Sequence, residues 1–190
     1  MKKFVTLIAT SLLVLSACTS GGSAEPTVSS TVERTECDKL ASITRAMEIS
    51  TETNALPNIS VDCLGSKEKV ELAKLRGPLL IAVWASWCVP CSEEMPIMDA
   101  FRTEHADKVD VLGYALMDSD QAVQALVNWG VGMTSVQDPD GVYRADLGIS
   151  SPPTTLFVDE NGSIVYRHFG ALTSVEQIES LVTKHLQVTL

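Results

Sequence analysis

Leu79–Trp84 is an unbroken apolar run, the pattern of a strand buried on both faces. Val109–Ala115 predicts a second core strand. Thr154–Asp159 and Ser163–Phe169 alternate apolar and polar positions, and Glu160-Asn161-Gly162 between them signals a hairpin. Helical spacing governs Val123, Leu126 and Val127, in a helix that Asp118 or Ser119 can cap and that ends near Gly130. It returns in Val175, Ile178, Leu181 and Val182, a closing helix with a capping box at Thr173-x-x-Glu176. Another helix follows Cys91, where Pro96 is expected to kink it. Shorter signals fill the gaps. Ser60–Leu64 and Lys69–Leu72 predict a hairpin around Gly65, and Leu40, Ile43 and Met47 a short N-terminal helix. Thr134–Gln137 reads as an extended piece closed by the turn Asp138-Pro139-Asp140-Gly141, and Tyr143–Leu147 as a short helix stopped by Gly148. Strand, helix, strand, then hairpin and helix predict an α/β fold: a mixed central sheet with helices on both faces.

The first 35 residues read differently. Met1-Lys2-Lys3 and the apolar run Phe4–Ala17 have the shape of a signal peptide, and the run is too short for a comfortable membrane span. Residues 1–17 are therefore expected to be a removable leader. Leu15-Ser16-Ala17-Cys18 resembles a bacterial lipobox, whose cysteine is acylated and becomes the new N-terminus; ordinary cleavage with Cys18 incidental is the plainer alternative. Residues 18–35, mostly Ser, Gly and Thr, cannot bury enough apolar surface to order themselves and read as a tether. That leaves 36–190 as one domain. The 190-residue chain is 45% hydrophobic, enough for a core, and its net charge of −10 disfavours a nucleic-acid partner.

The five cysteines divide into Cys18, the pair Cys37 and Cys63, and the pair Cys88 and Cys91. The last two form a C-x-x-C where the apolar strand gives way to a helix, a thioredoxin-like redox arrangement. Two intervening residues let both sulfurs meet across the first helical turn. The first sulfur then lies at the helix N-terminus, where unsatisfied N–H groups favour a thiolate. Cys88 is the expected attacking thiolate and Cys91 the shielded resolving thiol. Pro90 suits the first turn, where its missing N–H has no helical partner to lose. Half of a zinc site is the rival reading, but Cys37 and Cys63 form no second C-x-x-C and no His lies near the pair in sequence. In an exported domain Cys37 and Cys63 are expected to pair as a structural staple; two free thiols, one a relay for Cys88–Cys91, are the alternative.

Trp84-Ala85-Ser86-Trp87-Cys88-Val89-Pro90-Cys91-Ser92-Glu93-Glu94-Met95-Pro96 resembles the signature of the TlpA/ResA-like extracytoplasmic thioredoxins. Pro153-Thr154-Thr155-Leu156-Phe157-Val158-Asp159, followed by Asn161-Gly162, resembles that family too. The resemblance spans roughly Cys63 to Leu186. It implies a thioredoxin-like fold whose segment Ser119–Leu147 contains the family insertion, with the N-terminal helix and hairpin as an extension. It also implies a cis proline, at Pro153, facing the disulfide. Pro152 departs from the pattern, because it occupies the place whose backbone N–H usually bonds substrate. The family's matching glutamate helps move protons at the buried cysteine, which points to Glu94, three residues after Cys91 on one helix face; a solvated charge is the bland alternative. Ala82 stands where plain thioredoxin has its buried acid. Trp84 and Trp87 read as core and rim packing, with Trp87 lining the site, and His105, His168 and His185 as solvated residues without a role.

The expected function is a membrane-tethered, extracytoplasmic thiol–disulfide oxidoreductase that reduces protein disulfides. Its only redox group is its own cysteine pair, with no further cofactor and no metal, and a membrane electron donor is expected to recharge it. An oxidase or isomerase is the alternative within the class. A peroxidase would place Thr where Ala85 stands, three residues before Cys88. A copper-delivery module of the same fold would use C-x-x-x-C with a distal His.

Overall fold

The computed structural model describes Cys37, Ile49, residues 51–118 and residues 120–190. In chain order the elements are β1 (Ser60–Cys63), β2 (Lys69–Glu71), a 3-10 turn (Leu72–Lys74), β3 (Leu79–Trp84), α1 (Val89–Glu104), β4 (Asp110–Leu116), α2 (Asp120–Trp129), β5 (Ser135–Asp138), β6 (Thr154–Val158), β7 (Ile164–Phe169) and α3 (Val175–Leu186). They build one seven-stranded sheet in the order β2-β1-β5-β4-β3-β6-β7. Strands β3, β4 and β5 run parallel, and the flanking strands pair antiparallel. The sheet is mixed because hairpins close both edges while helical crossovers build the middle.

Alternation along β3 divides the core. Leu79, Ile81 and Val83 enter one apolar cluster, and Leu80, Ala82 and Trp84 the other. Among the described residues all three α-helices bury their apolar side in the second cluster, through residues such as Met98, Leu126 and Val182. Chain handedness explains this: β3–α1–β4 and β4–α2–β5 step the same way along the sheet, and right-handed crossovers then fall on the same face. The opposite face is covered by the 3-10 turn and by Leu147 and Ile149. Among the described residues the α-helices lie on one face and the 3-10 helical turn on the other, and the helix expected at Leu40–Met47 lies outside those residues. The leader, Cys18 and the tether also lie outside them.

Several local expectations change. Tyr143–Leu147 is a series of turns rather than a helix; the bonds Leu147 N–H to Tyr143 C=O (3.2 Å) and Ile149 N–H to Arg144 C=O (2.9 Å) never settle into one repeat. The cap of α3 is Ser174, whose hydroxyl accepts from the Gln177 N–H, while the Gln177 side chain accepts from the Thr173 N–H. The box is therefore shifted one residue from Thr173-x-x-Glu176. Helix α1 continues through Pro96 to Glu104. Two of the histidines are built in: His105 is buried and bonds Glu179 at 2.9 Å, tying α1 to α3, and His185 stacks on Tyr166 with centroids 3.8 Å apart. His168 is half-buried on β7, and burial lowers its basicity.

Cys37 and Cys63 are bridged, with Cα atoms 6.1 Å apart, and both are buried against the first cluster. Closing a loop of this size contributes about 3 kcal/mol through the unfolded chain.

Candidate active site

The parallel strands β3 and β4 are in register at Trp84 and Ala115, so the segments that follow both strands emerge at one end of the sheet. Such an end, with loops rising from carboxyl termini of parallel strands, is where open α/β sheets build sites. The chain turns from β3 into α1 within four residues, and Cys88 is the N-cap of that helix. Its sulfur accepts the N–H of Cys91 at 3.3 Å, and Pro90 sits in the first turn. Cys88 and Cys91 are joined as a disulfide, their Cα atoms 5.3 Å apart. Cys88 is 5% exposed and Cys91 0%, so of the pair only the first residue reaches the surface.

Antiparallel pairing of β6 with β3 puts Thr154 beside Val83, which brings Pro152 and Pro153 to the same end as the disulfide. The Pro152–Pro153 bond is cis, and so is Gly77–Pro78, which the sequence did not signal. Pro153 is buried and its carbonyl accepts the Gly170 N–H at 3.0 Å; Pro152 is half-buried and offers no N–H.

Glu94 lies inside. It is 1% exposed, one turn beyond Cys91, and its Oε1 accepts the Leu172 N–H at 2.9 Å. Burial pushes its carboxyl up to about 7, against the opposing pull of the Leu172 amide. Ala82, buried on β3, supplies no second acid there. Trp84 is core and meets Trp129 edge to face at 5.5 Å. Trp87 stands at the rim.

Two residues that hold this loop were not foreseen. The Asp118 carboxylate accepts the Ser86 N–H. The Met117 carbonyl accepts the Trp87 indole N–H at 3.1 Å, and Met117 itself has φ 52°, a left-handed conformation uncommon outside glycine. No sequence pattern announces such a residue. Asp138 was read as turn-forming; buried, it also gathers the Tyr114 hydroxyl at 3.1 Å and the N–H groups of Val142 and Tyr143 at 3.0 Å. That burial and the carboxylate raise the Tyr114 phenol far above its ordinary range.

The Redoxin family pattern matches residues 51–182. The chain belongs to the Redoxin family. Within that family it is 33% identical over 135 residues to the thioredoxin-like protein YneN of Bacillus subtilis (strain 168), covering 68% of this chain and 78% of that protein. It is 30% identical over 131 residues to the thiol-disulfide oxidoreductase ResA of Bacillus thuringiensis (strain Al Hakam), covering 67% and 75%. Among solved structures, MTB dsbF in its mixed oxidized and reduced forms superposes with a TM-score of 0.60 at 27% identity, covering 70% of this chain and 98% of that one. The TlpA/ResA-like resemblance agrees with these relatives, and the fold is thioredoxin-like. This Redoxin-family chain is a thiol–disulfide oxidoreductase.

The two disulfides should differ in reducibility. Opening Cys88–Cys91 yields a thiolate that the N-terminus of α1 stabilises, whereas Cys63, at the end of β1, has no helix start to stabilise its thiolate. Mild reduction followed by alkylation and mass mapping is expected to label Cys88 first and to leave Cys37–Cys63 joined. Free Cys37 or Cys63 after that treatment, or faster labelling of Cys91, would contradict the assignment.

Proposed function

We propose that this chain is a membrane-tethered reductant of protein disulfides outside the cytoplasm. The observation that carries the proposal is the disulfide at the start of α1, with one residue reaching the surface and the other enclosed. Cys88 thiolate attacks a substrate disulfide, forming a Cys88–substrate bond while the first substrate sulfur leaves and takes up a proton. Cys91 gives its proton to a base and attacks Cys88, releasing the second substrate thiol. Two electrons pass to the substrate, and the enzyme keeps the Cys88–Cys91 disulfide. Glu94, raised to about 7, is the base matched to that proton near neutral pH. No cofactor beyond the cysteine pair enters these steps. Re-reduction falls to an external dithiol or a membrane electron donor.

Around the pair, Pro153 shapes the loop opposite the disulfide. Pro152 presents a carbonyl but no N–H to an extended substrate, and Trp87 forms the rim. Cys37–Cys63 is the structural staple. Cys18 is the lipidated residue, residues 1–17 the leader and 18–35 the tether, with 36–190 as the thioredoxin-like domain. Among the described residues no helix is long and apolar enough to cross a membrane.

The test is capture in cells. Cys91→Ser retains the attacking sulfur but cannot resolve, so it is expected to accumulate mixed disulfides through Cys88 with exported proteins, dispersed by reductant. Capture of no partner at all, or equal capture by a variant lacking both cysteines, would defeat the proposal.

A further inference from the structure

Helix α1 ends, away from the disulfide, in a group of metal-ligating side chains that the redox chemistry does not use. Glu104 is the last residue of the helix and His105 its C-cap, and Glu179 faces them from α3. One ligand atom from each, an imidazole nitrogen and two carboxylate oxygens, lies within 4.8 Å of the other two. The 16 residues of α1, about 24 Å of helix, separate this group from the Cys88 cap.

The group has a buried anchor. His105 is 8% exposed, and its ring packs on Phe101, one turn back, with centroids 4.8 Å apart. Its backbone is fixed as well. The His105 N–H bonds the Phe101 carbonyl at 3.0 Å, and its own carbonyl accepts the N–H groups of Lys108 and Val109 at 2.9 and 3.0 Å. The imidazole is thereby aimed at Glu179, with Nε2 2.9 Å from Oε1. A tetrahedral zinc ion with bonds of about 2.0 Å holds its ligand atoms about 3.3 Å apart, close to that spacing. Glu104 is exposed and Glu179 half-buried, so the carboxylates form the open side through which an ion enters.

Charge points the same way. Glu104 stands at the C-terminus of α1, where the helix dipole disfavours a negative side chain. Arg102, the basic residue of that last turn, is engaged with Asp99 at 2.8 Å. Glu179 adds a second carboxylate at the same place, and one imidazole carries at most a single positive charge against the two.

We propose that Glu104, His105 and Glu179 form a zinc(II) site that latches the end of α1 to α3. One imidazole nitrogen with two carboxylate oxygens is a donor set that suits Zn(II) better than Mg(II) or Ca(II), and it leaves a fourth position for water. The site is separate from the cysteine pair and independent of the direction in which that pair carries electrons.

Zinc titration of the oxidised full-length protein against a chromophoric chelator tests it. Both disulfides are closed, and a Cys18→Ser background removes the remaining thiol. One equivalent of zinc is expected to bind and to shift the His105 ring resonances. Glu104→Gln, at an exposed position, and His105→Asn are each expected to weaken binding at least about tenfold, since losing a ligand costs no less than losing an outer-shell partner. Glu93→Gln, the same loss of charge at the other end of α1, is expected to leave binding unchanged. Zinc is also expected to raise the melting temperature of the protein, and to raise that of Glu104→Gln less. Absence of stoichiometric binding, equal binding by Glu104→Gln, an equal loss in Glu93→Gln, or ring shifts confined to His168 or His185 would each overturn the site. If His105→Asn does not fold, Glu104→Gln and the ring resonances decide the matter.

Discussion

Replacing Cys88 with Ser is expected to reduce disulfide reduction to background. A hydroxyl at this position is not ionised near neutral pH, so the helix N-terminus has no thiolate to stabilise. The remaining redox sulfur cannot substitute, because Cys91 has no exposed surface and lies beneath the first turn of α1. A single turnover of the reduced protein with a peptide disulfide, followed by quenching and separation of products, gives the comparison directly. The rate should drop at least about a hundredfold. The asymmetry matters as much as the loss. Cys91→Ser should still consume substrate disulfide once, at a rate close to wild type, and stop at the mixed species. Comparable activity in Cys88→Ser, or a slower first step in Cys91→Ser than in Cys88→Ser, would reverse the roles of the two sulfurs.

The second large effect concerns pH. Glu94 has its carboxyl raised from 4.5 to about 7, burial being the main cause. Between those values the folded protein keeps a proton that the unfolded chain has already released. Stability therefore falls as pH rises. Its contribution is fully present below about pH 4.5 and is lost once pH has passed about 7, with an upper size of roughly 3 kcal/mol. Glu94→Gln retains an acceptor for the Leu172 N–H but cannot ionise. Urea unfolding of the oxidised proteins from about pH 5 to about pH 8 should show the wild type losing ground to the variant across that window. Parallel curves would mean that Glu94 does not carry a raised carboxyl. The same variant should slow resolution of the mixed disulfide while sparing its formation, if Glu94 takes the Cys91 proton.

What was legible in the sequence had a local signature. Leu79–Trp84, the helix start at Cys88-Val89-Pro90-Cys91 and the turn at Asn161-Gly162 each state their conformation within a few residues. Contacts between distant residues carry no such mark. Nothing local says that the β1–β2 hairpin extends the sheet beside β5, or that Leu172 supplies the amide facing Glu94. His105 reads as a solvated residue in the sequence because its partner Glu179 lies on a distant helix. The shifted cap at Ser174 arose from two overlapping patterns, Thr173-x-x-Glu176 and Ser174-x-x-Gln177, of which the fold uses the second. The Ser86 N–H, too, is brought by the parallel register of β3 and β4 to the Asp118 carboxylate, a contact that no local pattern marks.

The Cys37–Cys63 bridge also determines how the domain bears a pull. Tension arriving along the chain ahead of Cys37 crosses the sulfur–sulfur bond into the end of β1, bypassing the chain between the two cysteines, which are 26 positions apart. Strand β1 is gripped on both sides, by β2 and by β5, so the load enters the sheet between hydrogen-bonded neighbours instead of peeling an end away. A domain held to a surface by its leading segment would keep its redox end unloaded under such a force, because the strained path ends at β1, with β5 and β4 between it and β3 and the disulfide that follows β3.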